Sequence, residues 1–302
     1  MWGITRIVRF LGVVKGHKHP AKYCLALILL KLKLSSLFLI RQDGFVLRFF
    51  PTALSTTLWI NPADRCDDEG LFRKYLRPGD TVIDVGANIG QLTLTAAVAV
   101  GPAGKVLAIE PHPEIFGYLC RNVALNGAKN TQTSNNAIGE RDGCALLSSC
   151  RSDDLNAIAS ANGIEVPMRR LDGMSNGLEN IALLKVDVEG YERFVLLGAT
   201  LTLTRTRCIY FESWEEHFAK YGYSLCDIAH FLAENGFWLY KAIGGDLFGP
   251  VAERYQSDRC ENLLALRTTD EFLARTGFRL RTWQECIPPS GPVRGLAEGT
   301  TI

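Results

Sequence analysis

The sequence has no Cys-x-x-Cys pair, and its nine cysteines are an odd number scattered from Cys24 to Cys286. That spacing excludes the usual zinc-ligand patterns and a dense disulfide framework. It predicts reduced, mostly buried thiols, with Cys120 on a helix and Cys208 in a core strand. Acid is missing from the start of the chain: nothing acidic precedes Asp43, whereas Arg6, Arg9, Lys15, Lys18, Lys22, Lys31, Lys33 and Arg41 do. A long apolar run is missing too. The run over residues 23–30 stops at Lys31 and Lys33, far short of the ~20 residues a spanning helix needs. No small-residue cleavage site follows it, so a secretory leader is not expected. The expectation is a helix packed on the main domain of a cytoplasmic chain. Peripheral contact of this basic segment with a membrane surface and an acceptor-binding cover are the alternatives. There is no low-complexity tract, and a formal net charge of +1 argues against a chain that is basic throughout for nucleic acid.

What is present is a repeated alternation of strand and helix. At 302 residues the chain can bury one sizeable core plus a small N-terminal piece. The boundaries expected are an N-terminal extension over 1–66, a main domain over 67–268 and a loosely held Pro- and Gly-rich tail over 269–302. Within the extension, residues 38–60 alternate apolar and polar and read as a hairpin or small meander. A helix is predicted over 67–76. Residues 81–85 form a buried strand, Gly86-x-Asn88-x-Gly90 a turn, and 91–100 a helix. Further strands are predicted at 105–110, 131–138, 145–148, 166–171, 181–188 and 208–212, with helices at 113–126, 191–203 and 225–235. Residues 153–162 read as a short helix or a loop. Two closing strands, 237–243 and 262–267, lack a helix between them and so should pair antiparallel at the edge. Strands alternating with helices imply an α/β fold with a mostly parallel sheet covered on both faces.

In open α/β sheets a ligand sits at the carboxyl ends of the strands. That rule collects Asp84, Glu110, Asn136, Asp187, Glu189 and Glu212, an acid-rich rim with almost no lysine or arginine. Such a rim suits a cationic ligand carrying a ribose better than a phosphate, which points to S-adenosylmethionine. The turn also lacks the third glycine of a dinucleotide fingerprint, since Gln91 stands there. Gly86 and Gly90 would let the backbone approach the methionine moiety, Asn88 tolerates an unusual φ, and Asp84 would orient the loop and attract the ammonium group. Glu110 can accept both ribose hydroxyls, and Asn136-Ala137 is placed for the adenine edge. Asp187 should reach the methionine or the acceptor, and Glu189 the acceptor. A hydroxyl acceptor benefits from a carboxylate base, so Asp187, Glu189 and Glu212 are the catalytic candidates. No third ligand accompanies the paired acids, so no metal is expected. Trp214, His217, Tyr221 and Tyr223 line an acceptor pocket or pack in the core.

The blocks VIDVGANIG, AIEPHP, NNAIGERDG, RRLDGM and LLKVDVEGYERFVLLGA, between residues 69 and 236, resemble the FkbM family of S-adenosylmethionine-dependent methyltransferases. The resemblance implies a class I methyltransferase (Rossmann-like) fold acting on a hydroxyl of a small molecule or glycan. It matches Asp84, Gly86, Asn88, Gly90 and Glu110, with Ala87 and Pro111 beside them, to cofactor positions. Lys185, Asp187, Glu189 and Gly190 match the second block. Residues 1–66 match nothing in it. The alternatives are an inactive cofactor-binding partner protein and a nicotinamide-dependent dehydrogenase.

Overall fold

The computed structural model describes residues 18–64, 66–148, 157–159, 163–252 and 254–281. The chain opens with helix α1 (Pro20–Lys31), a hairpin of β1 (Leu39–Gln42) and β2 (Phe45–Arg48), and helices α2 (Ala53–Ile60) and α3 (Cys66–Tyr75). Next come β3 (Thr81–Val85), α4 (Gln91–Val100), β4 (Lys105–Ile109), α5 (Pro113–Leu125) and β5 (Thr131–Ser134). A small second sheet follows, made of β6 (Ala137–Ile138), β7 (Gly143–Ser148), β8 (Ile158–Ala159) and β9 (Gly163–Arg169). The remainder is α6 (Leu171–Met174), β10 (Ile181–Val186), α7 (Glu192–Leu197), α8 (Thr200–Thr204), β11 (Thr206–Ser213), α9 (Glu215–Ala219), α10 (Leu225–Glu234), β12 (Trp238–Gly244), β13 (Leu247–Pro250), β14 (Glu261–Leu266), α11 (Thr269–Thr276) and β15 (Arg279–Leu280).

The large sheet runs β15-β13-β12-β14-β11-β10-β3-β4-β5. Its five strands from β11 to β5 are mutually parallel, and β14 runs antiparallel to both β11 and β12. Counted along the chain from β3, and leaving out β13 and β15, the strands lie in the order third, second, first, fourth, fifth, seventh, sixth. This is the class I methyltransferase topology, and its switch point falls between β3 and β10. β3 and β10 are buried along their whole length, which is why their sequences are near-continuous apolar runs rather than alternating ones. One face packs Ile83, Val85, Leu184 and Val186 against α7, α9 and α10. The other packs Val82, Leu183 and Tyr210 against α3, α4 and α11.

The N-terminal elements share a core with this domain. Ala26, Leu29, Leu47, Phe49 and Leu58 belong to one buried cluster with Ile89, Leu94 and Ile115; α1 itself packs on α2, and β2 carries the extension onto α4 and α5. α1 leaves Leu25 and Ile28 exposed, and among the described residues no helix is long and apolar enough to cross a membrane. Two asparagines one turn apart on α5 and its cap fix the hairpin. Asn126 accepts from Val46 N–H and donates to its carbonyl, while Asn122 accepts from Arg48 N–H and donates to Ile89 O at 2.8 Å. Asn122 is fully buried. Asn122→Leu therefore strands an amide and a carbonyl, and urea unfolding should show a loss of about 1–3 kcal/mol. Wild-type stability would remove this docking role.

Several boundaries differ from the sequence reading. Residues 53–60 are helical, not extended: Thr52 caps the helix by accepting from Ser55 N–H at 3.0 Å. The strand expected over 131–138 splits between two sheets, because Asn135 turns the chain by donating to the Glu110 and Pro111 carbonyls. The helix expected over 191–203 breaks at Gly198, where a Cβ would lie 2.0 Å from Gly139 O. Leu171 starts a short helix instead of ending a strand. β14 inserts between β11 and β12, and the added β13 and β15 form the true edge. The segment after 268 is not loose at its start: Phe272 is buried against Tyr75 and Phe248, and Arg275 pairs with Asp80 at 2.5 Å. Seven free cysteines lie among the described residues, and of these only Cys208 is buried, while Cys66, Cys144, Cys226 and Cys260 are exposed, against the expectation of mostly buried thiols. Residues 282–302, 1–17 and most of 153–162 lie outside the described residues.

Candidate active site

A pocket opens at the carboxyl ends of β3, β4, β10 and β11, where the topology places it. Its wall takes Gly86, Ala87 and Asn88 from the turn after β3, Glu110 and Pro111 after β4, and Asn136 and Ala137 before the second sheet. Asp187 and Glu189 follow β10, and Glu212 lies on β11. These ten positions are the site predicted from the sequence, less Asp84 and Gly90. Both of those lie behind the wall.

Gly86 has φ +80°, and a Cβ there would fall 1.8 Å from the Asp187 carbonyl oxygen. The bare backbone thus lets the two strand ends close on one another. Asn88, at φ +49°, accepts from the adjoining Ile89 N–H with its own side-chain oxygen, the kind of local bond that lets Asn hold a left-handed conformation. Gly90, at φ +93°, caps α4, and a Cβ there would meet Leu119 at 2.7 Å. It shapes the turn without lining the pocket.

Asp84 is buried beneath this turn. Its Oδ2 accepts from Thr93 at 2.5 Å, and its Oδ1 lies 3.2 Å from Lys185 Nζ. Lys185 is the group the acid-rich reading of the rim undervalued. Its ammonium is buried, 2.7 Å from Gly86 O and 3.4 Å from Asp187 Oδ2, so it bridges the two motif blocks and offsets part of their negative charge. A lone lysine in an apolar strand gives no sign of this in the sequence.

Glu110 joins the end of β4 to the turn. Asn88 N–H donates to its Oε2 and His112 N–H to its Oε1, each at 2.9 Å. Each oxygen keeps a further lone pair for a ligand hydroxyl. Burial pushes its pKa up to about 7, against those two amide bonds and Lys185, which favour the ionised form. Glu192, fully buried, holds the second motif by accepting from Val188 and Gly190 N–H, and burial raises it to about 8. Of the two places open to it, acceptor pocket or core, Tyr223 takes the core, where it donates to Gly190 O at 2.6 Å. Tyr221 donates to Ile158 O, and Trp214 packs on the His217 ring. Among the described residues the aromatic on the wall is Tyr191.

These raised acids set a pH dependence. Both folded pKa values exceed the ordinary 4.5, so the stability their protonation contributes is complete below about 4.5 and is lost as pH rises through about 7 and 8. The melting temperature of the ligand-free chain should fall between pH 5.5 and 8.5, and Glu192→Gln should flatten that slope. A slope unchanged in Glu192→Gln would contradict the assignment.

The far wall was not legible beforehand. Ala53, Leu54, Thr57 and Asp64 come from the N-terminal extension, and Leu147 and Ile158 from the second sheet. In the sequence His217 stands only as one of several aromatics after β11. It lies behind Glu189 and Glu212, with Nδ1 at 3.5 and 3.7 Å from their carboxylate oxygens.

The pattern of the Methyltransferase FkbM domain matches residues 84–239. The chain is 29% identical over 162 residues to Methyltransferase 1 of Beauveria bassiana, covering 45% of this chain and 63% of that protein. It is 31% identical over 157 residues to the 2-O-methyltransferase NoeI of Sinorhizobium fredii, covering 45% of this chain and 64% of that one. The matched stretch thus spans slightly under two thirds of these relatives. Methyltransferase FkbM of Methylobacillus flagellatus aligns with 81% of this chain and 59% of its own at 14% identity, with a TM-score of 0.42.

Proposed function

The chain belongs to the FkbM methyltransferase domain family, and from that premise we propose that it is an S-adenosylmethionine-dependent O-methyltransferase acting on a small-molecule or glycan hydroxyl. The observation that carries this reading is Glu110, set on the pocket wall one strand from the glycine turn with each carboxylate oxygen held by one backbone amide. The lining fits the donor chemically: Glu110 and Asp187 beside the glycine turn, with Lys185 the one ammonium among the described lining residues, suit a cation with a diol and disfavour a pyrophosphate. When bound, S-adenosylmethionine supplies a methyl group activated on a positively charged sulfur.

The chain's own residues do the rest. Gly86 to Asn88 and Asp187 form the face that receives the methionine end, with Asp84 and Lys185 holding that face rigid from behind. Glu110 takes the ribose hydroxyls, and Asn136-Ala137 takes the adenine edge. Asp187, Glu189 and Glu212 converge where an acceptor hydroxyl has to lie, orient it, and stabilise the loss of its proton. Residues 53–64 and the second sheet close the acceptor side and exclude water.

Glu110→Ala should weaken S-adenosylhomocysteine binding at least about tenfold, the size of one charge-assisted hydrogen bond of roughly 1.5–3 kcal/mol. Unchanged calorimetric affinity would remove the ribose assignment. The function itself is tested by incubating the chain with methyl-labelled S-adenosylmethionine and a panel of sugars, polyketide alcohols and amines. Label in an acid- and base-stable ether is expected; label on amines alone would overturn the O-methyl reading.

A further inference from the structure

Three groups at the acceptor end of the pocket stand in a geometry that methyl transfer alone does not require. His217 Nδ1 is buried, with 4% of the residue exposed, and makes no hydrogen bond. It faces Glu189 Oε2 at 3.5 Å and Glu212 Oε2 at 3.7 Å. One ligand atom from each of the three lies within 4.8 Å of the others. A protonated imidazole would draw a carboxylate in to about 2.7–2.9 Å. Atoms bound at about 2.1 Å to one ion instead lie roughly 3.0–4.2 Å apart, the separation His217 keeps from both acids.

The surroundings hold this arrangement. Gly190, at φ +99°, has no Cβ, and one there would lie 2.8 Å from His217 O, so the glycine lets α9 press up against the second motif. Glu189 sits at φ +57°, an uncommon conformation for a side-chain-bearing residue, which aims its carboxylate sideways into the cluster. The Cys260 thiol donates to Glu212 Oε1 at 2.9 Å and leaves Oε2 for the histidine side. Glu189 and Glu212 are on the pocket wall and His217 is behind it, so an ion held among them has its remaining positions open to the pocket.

We propose that Glu189, Glu212 and His217 form a divalent-cation site whose open positions bind the oxygens of the acceptor. A set of two carboxylates and one imidazole suits a divalent first-row ion, and Mn²⁺, which favours carboxylate oxygen, is among them. This deepens the O-methyltransferase reading and rests on it for the identity of the acceptor. A hydroxyl ligated to such an ion is a far stronger acid than a free alcohol. Two neighbouring oxygens of a diol or hydroxy-ketone could chelate it, which names the acceptor class.

The probe is Mn²⁺ alone, followed by the loss of its free six-line electron paramagnetic resonance signal, with S-adenosylhomocysteine affinity measured in parallel by calorimetry. The wild-type chain should bind one Mn²⁺, and His217→Ala should bind it at least tenfold more weakly with unchanged S-adenosylhomocysteine affinity. Glu212→Gln should show the same split and carries the comparison should His217→Ala fail to fold. A wild-type chain that binds S-adenosylhomocysteine but leaves the Mn²⁺ signal intact would overturn the site. So would either variant that keeps wild-type Mn²⁺ affinity. Mn²⁺ binding without S-adenosylhomocysteine binding would support the cation site and sink the donor reading instead.

Discussion

Glu189→Gln should lower turnover about a hundredfold or more while leaving cofactor affinity within a small factor of wild type. The exchange keeps the size of the side chain and removes its charge at the acceptor end of the pocket. The glycine turn, Glu110 and Lys185 stay in place, so ground-state binding of the donor is preserved. The loss should therefore fall on kcat with an authentic acceptor. Turnover equal to wild type would remove Glu189 from the chemistry and leave only its place at the start of the turn into α7. Glu189 is 3.5 Å from His217, so His217→Ala with the same acceptor should move kcat in the same direction.

The largest effect expected on the donor side comes from Gly86→Ala. The new Cβ would start 1.8 Å from the Asp187 carbonyl, at a φ of +80° that a side chain disfavours. Backbone strain of this kind costs about 1–3 kcal/mol, and relief of the clash has to push the end of β3 away from β10. That displacement breaks the 2.7 Å bond from Lys185 to Gly86 O and with it the bridge to Asp84 and Asp187. S-adenosylhomocysteine binding should fall about a hundredfold, or roughly 2.8 kcal/mol. A cooperative melt within a few degrees of wild type would show that the fold survives. Retained affinity in such a variant would mean that the turn is not the donor's seat.

Four of the five parallel strands, β3, β4, β10 and β11, were legible because they are largely buried and read as apolar runs, whereas β5 is a polar, partly exposed edge. The glycine turn, Glu110 and the Asp187–Glu189 block were legible because strand alternation and the strand-end rule fix where such residues point. Residues 53–60 misled because Thr56, Thr57 and Ile60 are β-branched, while the deciding facts were the Thr52 cap and the packing of Leu58 on the hairpin. β13 was hidden by Gly244, Gly245 and Asp246, which read as loop yet turn the chain back onto β12. Lys185 and His217 were hidden for a shared reason. Lys185 reaches Asp84 and Gly86 about a hundred residues away and His217 reaches Glu189 about thirty away, and no local spacing encodes those distances.

The central claim is that the turn after β3 and the carboxylate after β4 together hold the methyl donor. Calorimetric titration of the intact chain with S-adenosylhomocysteine, with NADH titrated in parallel, tests it most directly. The account predicts one S-adenosylhomocysteine site per chain, weakened in Glu110→Ala, and no heat from NADH. Binding of NADH with none of S-adenosylhomocysteine would contradict it.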